Sequence, residues 1–344
     1  MTQLYALGLG IGTKNQNGDW LEVYYQSPQL SPSEKLASAL AEATGYTSGN
    51  QAIELSSDQL HTVAAALDAA GETAQSVLAN ALSESERPVV LTMLAEDAEL
   101  STTPEAYLKL HLLSHRLVKP HETSLAGIFP LLPNVAWTNQ GAIDLAELPE
   151  RQLQARMKGE LLEVTSVDKF PKMTDYVVPA GVRIADTSRV RLGAYIGEGT
   201  TIMHEGFVNF NAGTAGTSMI EGRISAGVFV GKGSDLGGSS STMGTLSGGG
   251  NIIISVGEEC LLGANAGIGI PLGDRCTVEA GLYVTAATKV SMLDDAGNAV
   301  ETIKARDLAS KSDLLFRRNS VNGVVECLTN KSAIELNEEL HSNN

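Results

Sequence analysis

The sequence predicts a mainly β protein in which a β-solenoid follows an N-terminal α/β domain. From residue 184, apolar residues recur at every sixth position. This spacing fits neither the 3.6-residue period of a helix nor the two-residue period of an exposed strand. Gly, Asp, Glu, Thr and Asn occupy many of the positions between the apolar residues. The first third of the chain lacks this repeat, which indicates a separate domain.

Residues 1–118 have the patterns of a mixed α/β domain. LYALGLGIGT and WLEVYYQ are predicted strands, joined by NQNGD, in which Asn-Gly favours a tight reversal. Helical apolar spacing occurs in SPSEKLASALAEATGY, SSDQLHTVAAALDAA and TPEAYLKLHLLSHRLV. In the first of these segments, Ser31 and Glu34 have the spacing of a capping box. Residues 119–180 contain scattered prolines and are predicted to be a connecting region with a short helix near ELPERQLQARMKGELL.

The six-residue repeat defines a predicted solenoid domain at residues 181–298. It begins with Ile184, Val190, Ile196, Ile202 and Val208, returns from 256 to 268, slips phase, and resumes from 272 to 290. We expect each hexad to form a short strand and a corner, with the aliphatic side chain inside and each coil burying the next. Two glycine-rich segments, 212–223 and 232–251, are predicted to interrupt the period and project as loops. Residues 299–344 are predicted to form a strand-rich cap with a final helix.

Charge and composition limit the classes of partner. The chain has 40 acidic and 24 basic residues, a formal charge of -16. This balance disfavours sequence-independent nucleic-acid binding and association with anionic membranes. No apolar window reaches the roughly 18 residues of a membrane span, and MTQLYALGLGIGTKNQNGDW lacks a secretory signal. We therefore expect a cytoplasmic protein that binds small molecules. The three cysteines lack metal-type spacing, which disfavours a disulfide framework or a zinc cluster.

Several long motifs carry a resemblance to a known family. The hexads resemble those of the left-handed parallel β-helix acyltransferases. More narrowly, VDKFPKMTDYVVPAGVRIAD, MHEGFVNFNAGT, STMGTLSGGGN, LLGANAGIGIPLGD and LLFRRNS resemble, in this order, the tetrahydrodipicolinate N-succinyltransferases, in the longer form found in actinobacteria and pseudomonads. The resemblance covers most of the chain and is densest from 165 to 320.

The resemblance implies an activity and an assembly. It implies a homotrimer whose active sites lie between neighbouring subunits. The implied reaction transfers succinyl from succinyl-CoA to the amine of tetrahydrodipicolinate, in its hydrated or ring-opened 2-amino-6-oxopimelate form, on the path to diaminopimelate and lysine. It also implies a Mg²⁺ ion on the trimer axis, whose ligands the sequence does not identify.

Glu205 is the predicted catalytic residue, because it matches the catalytic glutamate of the family in MHEGFVNFN. Amide formation from a thioester requires the amine to lose a proton, so Glu205 acts as general base or as a nucleophile that forms an acyl-anhydride. The alternative is a solvated corner residue. His204 competes with Glu205 because related acyltransferases of other specificities use a histidine base. We expect the two side chains to point to opposite faces, as adjacent strand residues do.

Four further residues are candidates for binding the reacting groups. Gly222 is predicted to offer a backbone N–H to the oxyanion, or is an ordinary turn glycine. Arg223 is predicted to pair with a substrate carboxylate, the alternative being a surface salt bridge. Asn209 and Ser225 are predicted neutral donors to succinyl or dicarboxylate oxygens, although asparagine also forms ladders inside solenoids.

The coenzyme A arm is expected to run along the coils beside LSGGGN, in contact with Gly248, Ala264 and Asn265. The alternative is that LSGGGN is only a loop tip. Lys289 is predicted to meet a phosphate as a point charge, or is a solvated lysine.

Other classes of function are alternatives to this prediction. A β-helix enzyme with a different acyl donor or acceptor would use acetyl-CoA or a nucleotide-sugar amine. A non-catalytic trimeric scaffold would not need Glu205. A zinc protein of the γ-carbonic anhydrase kind is disfavoured, because His204 is the only histidine from 184 to 300. His111 and His115 have the spacing of metal ligands on a helix but lack the glutamate of a zinc protease motif.

Overall fold

The computed structural model describes residues 3–244 and 252–329. The chain divides into two compact units, one within Met1–Leu112 and Glu122–Pro171 and the other within Leu113–His121 and Lys172–Asn344. The elements up to residue 171 are, in chain order, β1 (Ala6–Lys14), β2 (Trp20–Tyr24), β3 (Gln29–Leu30), α1 (Glu34–Thr44), β4 (Gln51–Leu55), α2 (Ser57–Ala69), α3 (Thr73–Leu82), β5 (Val89–Leu94), α4 (Thr103–Ser114), α5 (Ile128–Leu131), β6 (Val135–Thr138), β7 (Gly141–Asp144), α6 (Leu148–Met157) and β8 (Val164–Asp168).

An antiparallel sheet with strand order β2-β1-β5-β4 forms the centre of the first unit, and β3 also pairs with β1. The predicted hairpin between β1 and β2 is confirmed. Its turn is closed by Asn15, whose Oδ1 accepts hydrogen bonds from the N–H groups of Asn17 and Asp19. Side chains from the sheet and from α1, α2 and α3 share one buried core, which includes Leu7, Leu40, Leu67, Ala79 and Leu91.

The first helix begins differently from the sequence-based expectation. Glu34 is the first residue of α1, and the side chain that caps it is Ser33, whose Oγ accepts from the N–H of Leu36 at 3.1 Å. The capping box predicted for Ser31 and Glu34 is therefore wrong, since Ser31 is in the left-handed conformation with φ +46°. A capping box does occur at α2. The sequence patterns do not predict helix α3 or strands β4 and β5.

The predicted connecting region contains a small folded layer. Strands β7, β6 and β8 form an antiparallel sheet in that order. Its core consists of Ala136, Ile143, Ala155 and Leu162, and Ala155 comes from α6, the short helix that the sequence predicts. This layer belongs to the first unit.

The second unit is built mainly from very short strands. In chain order they are β9 (Arg183–Ile184), β10 (Ala194–Ile196), β11 (Thr201–Ile202), β12 (Phe207–Val208), β13 (Ala212–Thr214), β14 (Met219–Ile220), β15 (Arg223–Ile224), β16 (Phe229–Val230), β17 (Asp235–Leu236), β18 (Ser241–Thr242), β19 (Ser255–Val256), β20 (Leu261–Leu262), β21 (Gly267–Gly269), β22 (Thr277–Val278), β23 (Tyr283–Thr285), β24 (Lys289–Leu293), β25 (Ala299–Lys304), β26 (Leu314–Arg318) and β27 (Val325–Thr329).

These strands form the predicted left-handed parallel β-helix, a prism with three faces. Face 1 contains β9, β11, β14, β17, β20 and β22; face 2 contains β12, β15, β18, β21 and β23; face 3 contains β10, β13, β16 and β19. Each coil places one strand or extended segment on each face, and successive strands of a face pair in parallel. One residue of each hexad points into the prism. On face 1 these residues stack as Ile184, Ile202, Ile220, Leu236, Leu262 and Val278.

The interior residues stabilise the prism by removing apolar surface from water. All but Ile184 of the face 1 stack have no exposed surface. Fully burying one such side chain contributes roughly 1.5–3 kcal/mol. Because each side chain is covered only by its neighbours in adjacent coils, this contribution depends on stacking.

The predicted insertion at residues 212–223 is wrong. These residues form β13, β14 and part of β15, and Thr214, Ile220 and Ile224 are interior residues with no exposed surface. The six-residue period breaks here only because the interior residues Ile220 and Ile224 are four positions apart, two fewer than the usual six. The repeat is also hard to recognise in the sequence because the polar Thr214 occupies an interior position where an aliphatic residue is expected. Its hydroxyl is satisfied inside the prism by a 2.7 Å hydrogen bond with the hydroxyl of Thr200.

The second predicted insertion, 232–251, is correct only in its last part. Leu236 and Thr242 keep the six-residue period, so the excursion begins after β18 and the chain returns to the prism at Val256. Residues 245–251 lie outside the described residues. The phase slip seen in the sequence is a second short corner, between Ile268 and Leu272.

The last strands cap the prism. Strands β24 and β25 form one antiparallel hairpin, β26 and β27 another, and β26 also extends face 1 by pairing in parallel with β22. Phe316 lies in register with Val278 and is fully buried, so it closes the stack of interior side chains. The final helix predicted from the sequence lies outside the described residues. No described helix has both the length and the apolar character needed to cross a membrane.

Candidate active site

Face 2 of the β-helix presents a column of outward-facing side chains. The strand register aligns Phe207, Arg223, Ser241, Gly267 and Tyr283. The neighbouring residue in each strand points into the prism, as alternation requires. The side chain of Arg223 is consequently exposed, while the ring of Tyr283 lies over Gly267, where a Cβ atom would come within 2.2 Å of it.

Glu205 lies at the corner between β11 and β12, at one edge of face 2, and is exposed. The main chain around it is fixed: Met203 N donates to Ile220 O at 2.9 Å and Phe207 N donates to Gly222 O at 3.0 Å. The corner thus carries the exposed Glu205 two residues before the outward-facing Phe207, which is in register with Arg223.

His204 is also exposed, and both residues belong to the turn rather than to a strand. The expectation that His204 and Glu205 point to opposite faces therefore does not apply, since strand alternation ends at Ile202. His204 lies towards the preceding coil. The hydroxyl of Ser188 is the main cause of a lowered pKa at Asp186, and the charges of Arg189 and His204 lower it further.

Asn209 and Ser225 lie at the other edge of face 2, where β12 and β15 end. Asn209 Oδ1 accepts hydrogen bonds from Arg191 Nη1 at 3.0 Å and from Phe210 N at 2.9 Å. Ser225 Oγ donates to Thr242 O at 2.6 Å. Ser225 therefore has its hydroxyl hydrogen engaged and can only accept, whereas the amide N–H groups of Asn209 have no acceptor within residues 3–244 and 252–329. The predicted donor role fits Asn209 better than Ser225.

Gly222 lies one coil beyond Glu205 on the same corner. A Cβ atom there would lie 2.1 Å from Ser240 Oγ and 2.7 Å from Ser240 O, so coil stacking alone requires glycine. Its backbone N–H has no acceptor in the described part of the chain. Both interpretations offered by the sequence are thus compatible with the structure: Gly222 is buried and allows close packing, and its N–H forms no hydrogen bond within the described residues.

Ala264 and Asn265 lie on this same corner, three coils beyond Glu205, and both are exposed. Parallel strands are about 4.8 Å apart, so three coils correspond to about 14 Å. Asn265 has φ +56° and donates its N–H to Gly238 O at 2.8 Å, while Ala264 O accepts from Gly281 N. These backbone groups are engaged, which leaves the side chain of Asn265 for a ligand.

The remaining predicted residues are not brought to face 2. Lys289 is exposed and begins β24, where it pairs with Lys304 of the capping hairpin. Gly248 lies outside the described residues. A cleft of about 300 Å³ opens elsewhere in the second unit, lined by residues 114–116 and 176–180, and contains none of the predicted site residues.

Metal binding finds no support in the described residues, in which no three His, Cys, Asp or Glu side chains are grouped to hold an ion. His111 is buried with both ring nitrogens engaged: Nδ1 bonds Tyr107 O at 2.7 Å, and Nε2 accepts from Tyr25 N at 3.2 Å. His111 therefore has no ring nitrogen left for a metal.

Sequence reasoning missed Arg189 and Arg191, which contact the candidate residues from the preceding coil. Arg189 donates to the carbonyl oxygens of Glu205 and Gly206, and Arg191 to Asn209. The signal was present, because three hexads make a coil of 18 residues and Arg191 precedes Asn209 by that interval.

Two family models match parts of the chain. The model described as tetrahydrodipicolinate N-succinyltransferase middle matches residues 132–172, and the model described as hexapeptide repeat of succinyl-transferase matches residues 253–286. The first match covers the small sheet of β6, β7 and β8, and the second covers coils of the β-helix.

Relatives match over almost the full length. Proteins named 2,3,4,5-tetrahydropyridine-2,6-dicarboxylate N-succinyltransferase are 72% identical in Pseudomonas putida and 62% identical in Vibrio cholerae, each alignment covering 99% of both chains. A solved structure from Campylobacter jejuni, described as a putative 2,3,4,5-tetrahydropyridine-2-carboxylate N-succinyltransferase, has a TM-score of 0.89 and 32% identity, and the match covers 97% of this chain and 94% of that one. This chain belongs to the tetrahydrodipicolinate N-succinyltransferase family.

Proposed function

We propose that the protein transfers the succinyl group of succinyl-CoA to the amine of tetrahydrodipicolinate, in its hydrated or ring-opened 2-amino-6-oxopimelate form, as a step in diaminopimelate and lysine biosynthesis. The observation that carries this proposal is the 72% identity, over 99% of both chains, to a protein that bears this name. The arrangement of groups on face 2 supports it.

Glu205 is the proposed general base. The amine nitrogen attacks the thioester carbonyl carbon, a C–N bond forms, and the C–S bond breaks to release coenzyme A. Glu205 takes the proton that the amine loses, and the leaving thiolate is protonated to the thiol. Its exposed position at the edge of face 2 is open to both substrates.

The oxyanion of the tetrahedral intermediate needs a donor that is already in place. The N–H of Gly222, one coil from Glu205, is the proposed donor, because it has no acceptor among the described residues and carries no side chain that would cover it. The neighbouring Arg223 is the proposed partner of a substrate carboxylate, since its guanidinium is exposed on face 2 and can form a bidentate pair.

Coenzyme A is proposed to follow the corner from Glu205 towards Ala264 and Asn265. The separation of about 14 Å along the coils suits an extended ligand rather than a compact one. Gly248 and Lys289 stay predicted contacts for the arm and a phosphate. The homotrimer with active sites between subunits, and Mg²⁺ on its axis, also stay predictions of the resemblance, and no catalytic step proposed here uses the metal.

A thiol-release assay with succinyl-CoA and tetrahydrodipicolinate tests the function. We expect turnover by the wild-type protein, little release with acetyl-CoA, and loss of most turnover in Glu205→Gln with an unchanged melting temperature. The three cysteines are buried, so the folded protein adds little to the thiol signal. Full activity of Glu205→Gln would refute the role of Glu205, and turnover of acetyl-CoA in preference to succinyl-CoA would refute the donor.

The same assay separates the two roles of Glu205. Direct attack requires a ternary complex and gives intersecting initial-rate plots. A covalent acyl-anhydride gives parallel plots and a protein mass increased by one succinyl group when succinyl-CoA is added alone.

A further inference from the structure

Three corners of the β-helix between faces 1 and 2, those after β17, β20 and β22, are tied to the preceding coil by the main chain. Asn265 has φ +56° and donates its N–H to Gly238 O at 2.8 Å, and Gly281 has φ +75° and donates to Ala264 O at 2.8 Å. In each case a residue in the left-handed conformation turns its N–H towards the coil before it. This bond fixes the path of the corner.

The corner that carries Glu205 is built differently. None of residues 203–206 has a positive φ, so the main-chain bond to the preceding coil is missing. The side chain of Arg189 supplies the link instead: Nη2 donates to Glu205 O and Nε donates to Gly206 O, both at 3.0 Å. A single guanidinium therefore holds two consecutive carbonyl groups.

Arg189 is itself held in place. It ends the 3-10 helix Thr187–Arg189, whose first turn is capped by Asp186 through the N–H of Ser188 at 3.0 Å. Its side chain is half-buried. It forms no ion pair with any residue of the described part of the chain, so its fixed hydrogen bonds are those to the Glu205 corner.

The opposite side of the corner is fixed by the following coil, through the bonds of Met203 to Ile220 and of Phe207 to Gly222. Glu205 thus stands between main-chain anchors on one side and Arg189 on the other. The plane of the peptide after Glu205 limits the direction of its Cα–Cβ bond, so the two guanidinium bonds fix the point from which the Glu205 side chain leaves the main chain.

We propose that Arg189 is a positioning residue for succinyl transfer, which acts by fixing the Glu205 corner and not by touching substrate. This inference rests on the proposed role of Glu205. A displacement of about 1 Å in a reacting group can cost roughly a hundredfold in rate. Lysine reproduces the planar fork of arginine only in part, because its ammonium is a compact point charge that keeps the positive charge but not the fixed pair of parallel N–H donors.

The first test compares Arg189→Gln, Arg189→Lys and the control Arg183→Gln. Arg183 lies on face 1 in the coil before Glu205 and is exposed. We expect Arg189→Gln to lower kcat by about tenfold or more, with both KM values within about twofold of wild type. Arg189→Lys should restore part of kcat, and Arg183→Gln should match wild type. A large rise in KM at unchanged kcat would overturn the proposal, because it would indicate direct substrate binding.

The second test is the double variant Arg189→Gln/Glu205→Gln. If Arg189 acts through Glu205, the double variant should be no slower than Glu205→Gln alone, since residues that act as a unit are not additive. A further loss that multiplies the two single effects would overturn the inference. Thermal melting of every variant identifies any loss of activity that comes from unfolding. If Arg189→Gln is unfolded, the kcat of Arg189→Lys decides the test.

Failure of the inference and failure of the proposed function give different results. If Glu205→Gln is inactive and Arg189→Gln has wild-type kcat, only the positioning role of Arg189 is wrong. If Glu205→Gln is fully active, the role of Glu205 is wrong and the inference falls with it.

Discussion

Arg191 Nη1 donates a hydrogen bond of 3.0 Å to Oδ1 of Asn209, its neighbour in the next coil. The bond engages the amide oxygen of Asn209 and leaves its N–H groups for the proposed contact with a substrate carboxylate. The sequence predicts Asn209 only as a neutral donor, and the structure shows that Arg191, 18 positions earlier, orients its side chain.

Asn209→Asp tests this arrangement. The carboxylate keeps its acceptor for Arg191 but loses the N–H donors and adds negative charge near anionic substrates. We expect the KM for the dicarboxylate to rise about tenfold or more, since a hydrogen bond to a charged group contributes roughly 1.5–3 kcal/mol. Steady-state kinetics measures this, and thermal melting should show no loss of stability. An unchanged KM would contradict the binding role of Asn209.

Gly222→Ala should destabilise the β-helix. The added methyl group would lie 2.1 Å from Ser240 Oγ, and overpacking of this kind costs about 1–3 kcal/mol. Gly238→Ala is the matched control, because its Cβ would meet only Glu221 Oε2 at an ordinary 3.4 Å. Urea unfolding measures both variants, and equal stabilities would contradict the steric explanation.

Ser240→Ala should be neutral or stabilising. The hydroxyl of Ser240 is buried and has no hydrogen-bond partner among residues 3–244 and 252–329, and an unsatisfied buried polar group costs about 1–3 kcal/mol. In combination with Gly222→Ala, it should restore part of the lost stability, because the contact with Oγ is relieved while the 2.7 Å contact with the Ser240 carbonyl persists. A clear loss of stability in Ser240→Ala alone would indicate a partner for this hydroxyl.

Lys109→Met should strongly destabilise the first unit. The ammonium of Lys109 is fully buried and donates to Asp97 Oδ1 at 2.6 Å, Ala98 O at 2.7 Å and Ser124 O at 2.9 Å. Removing one partner of a buried pair costs about 3 kcal/mol or more. The control is Lys14→Met, which removes the more exposed pair with Glu54 and should cost under about 1 kcal/mol. Similar losses of unfolding free energy in the two variants would refute this difference.

Glu326→Gln should reduce the acid sensitivity of the cap. The Asn319 amide, and then the Arg317 guanidinium, lower the pKa of Glu326 below its usual range. A lowered pKa stabilises the folded state above the ordinary carboxyl pKa of about 4.3, and this contribution is lost as pH falls through the folded-state pKa. The melting-temperature difference between wild type and Glu326→Gln should therefore be largest near neutral pH and shrink below about pH 4. A difference that is constant with pH would contradict this linkage.

The sequence by itself determined the β-helix and predicted most residues of the candidate site. A six-residue repeat has one structural solution in which every aliphatic residue is buried, so the prism and its interior residues followed from periodicity. The family motifs identified Glu205, and the structure places Gly222, Arg223 and Asn209 around the same face. These features are local in sequence, which is why pattern and motif were sufficient.

Only the tertiary structure decided which residues stack on one another. The coils containing Thr214 and Thr242 were mistaken for insertions, because an interior hydroxyl is acceptable only when a neighbouring coil satisfies it. Lys109, which the sequence alone would place in solvent, is buried because three acceptors distant in sequence meet it. The contact of Arg189 with the Glu205 corner also depends on the tertiary structure, because its hydrogen-bond partners lie one coil away. A hydrogen bond between coils depends on the geometry of the corner, which no single hexad encodes.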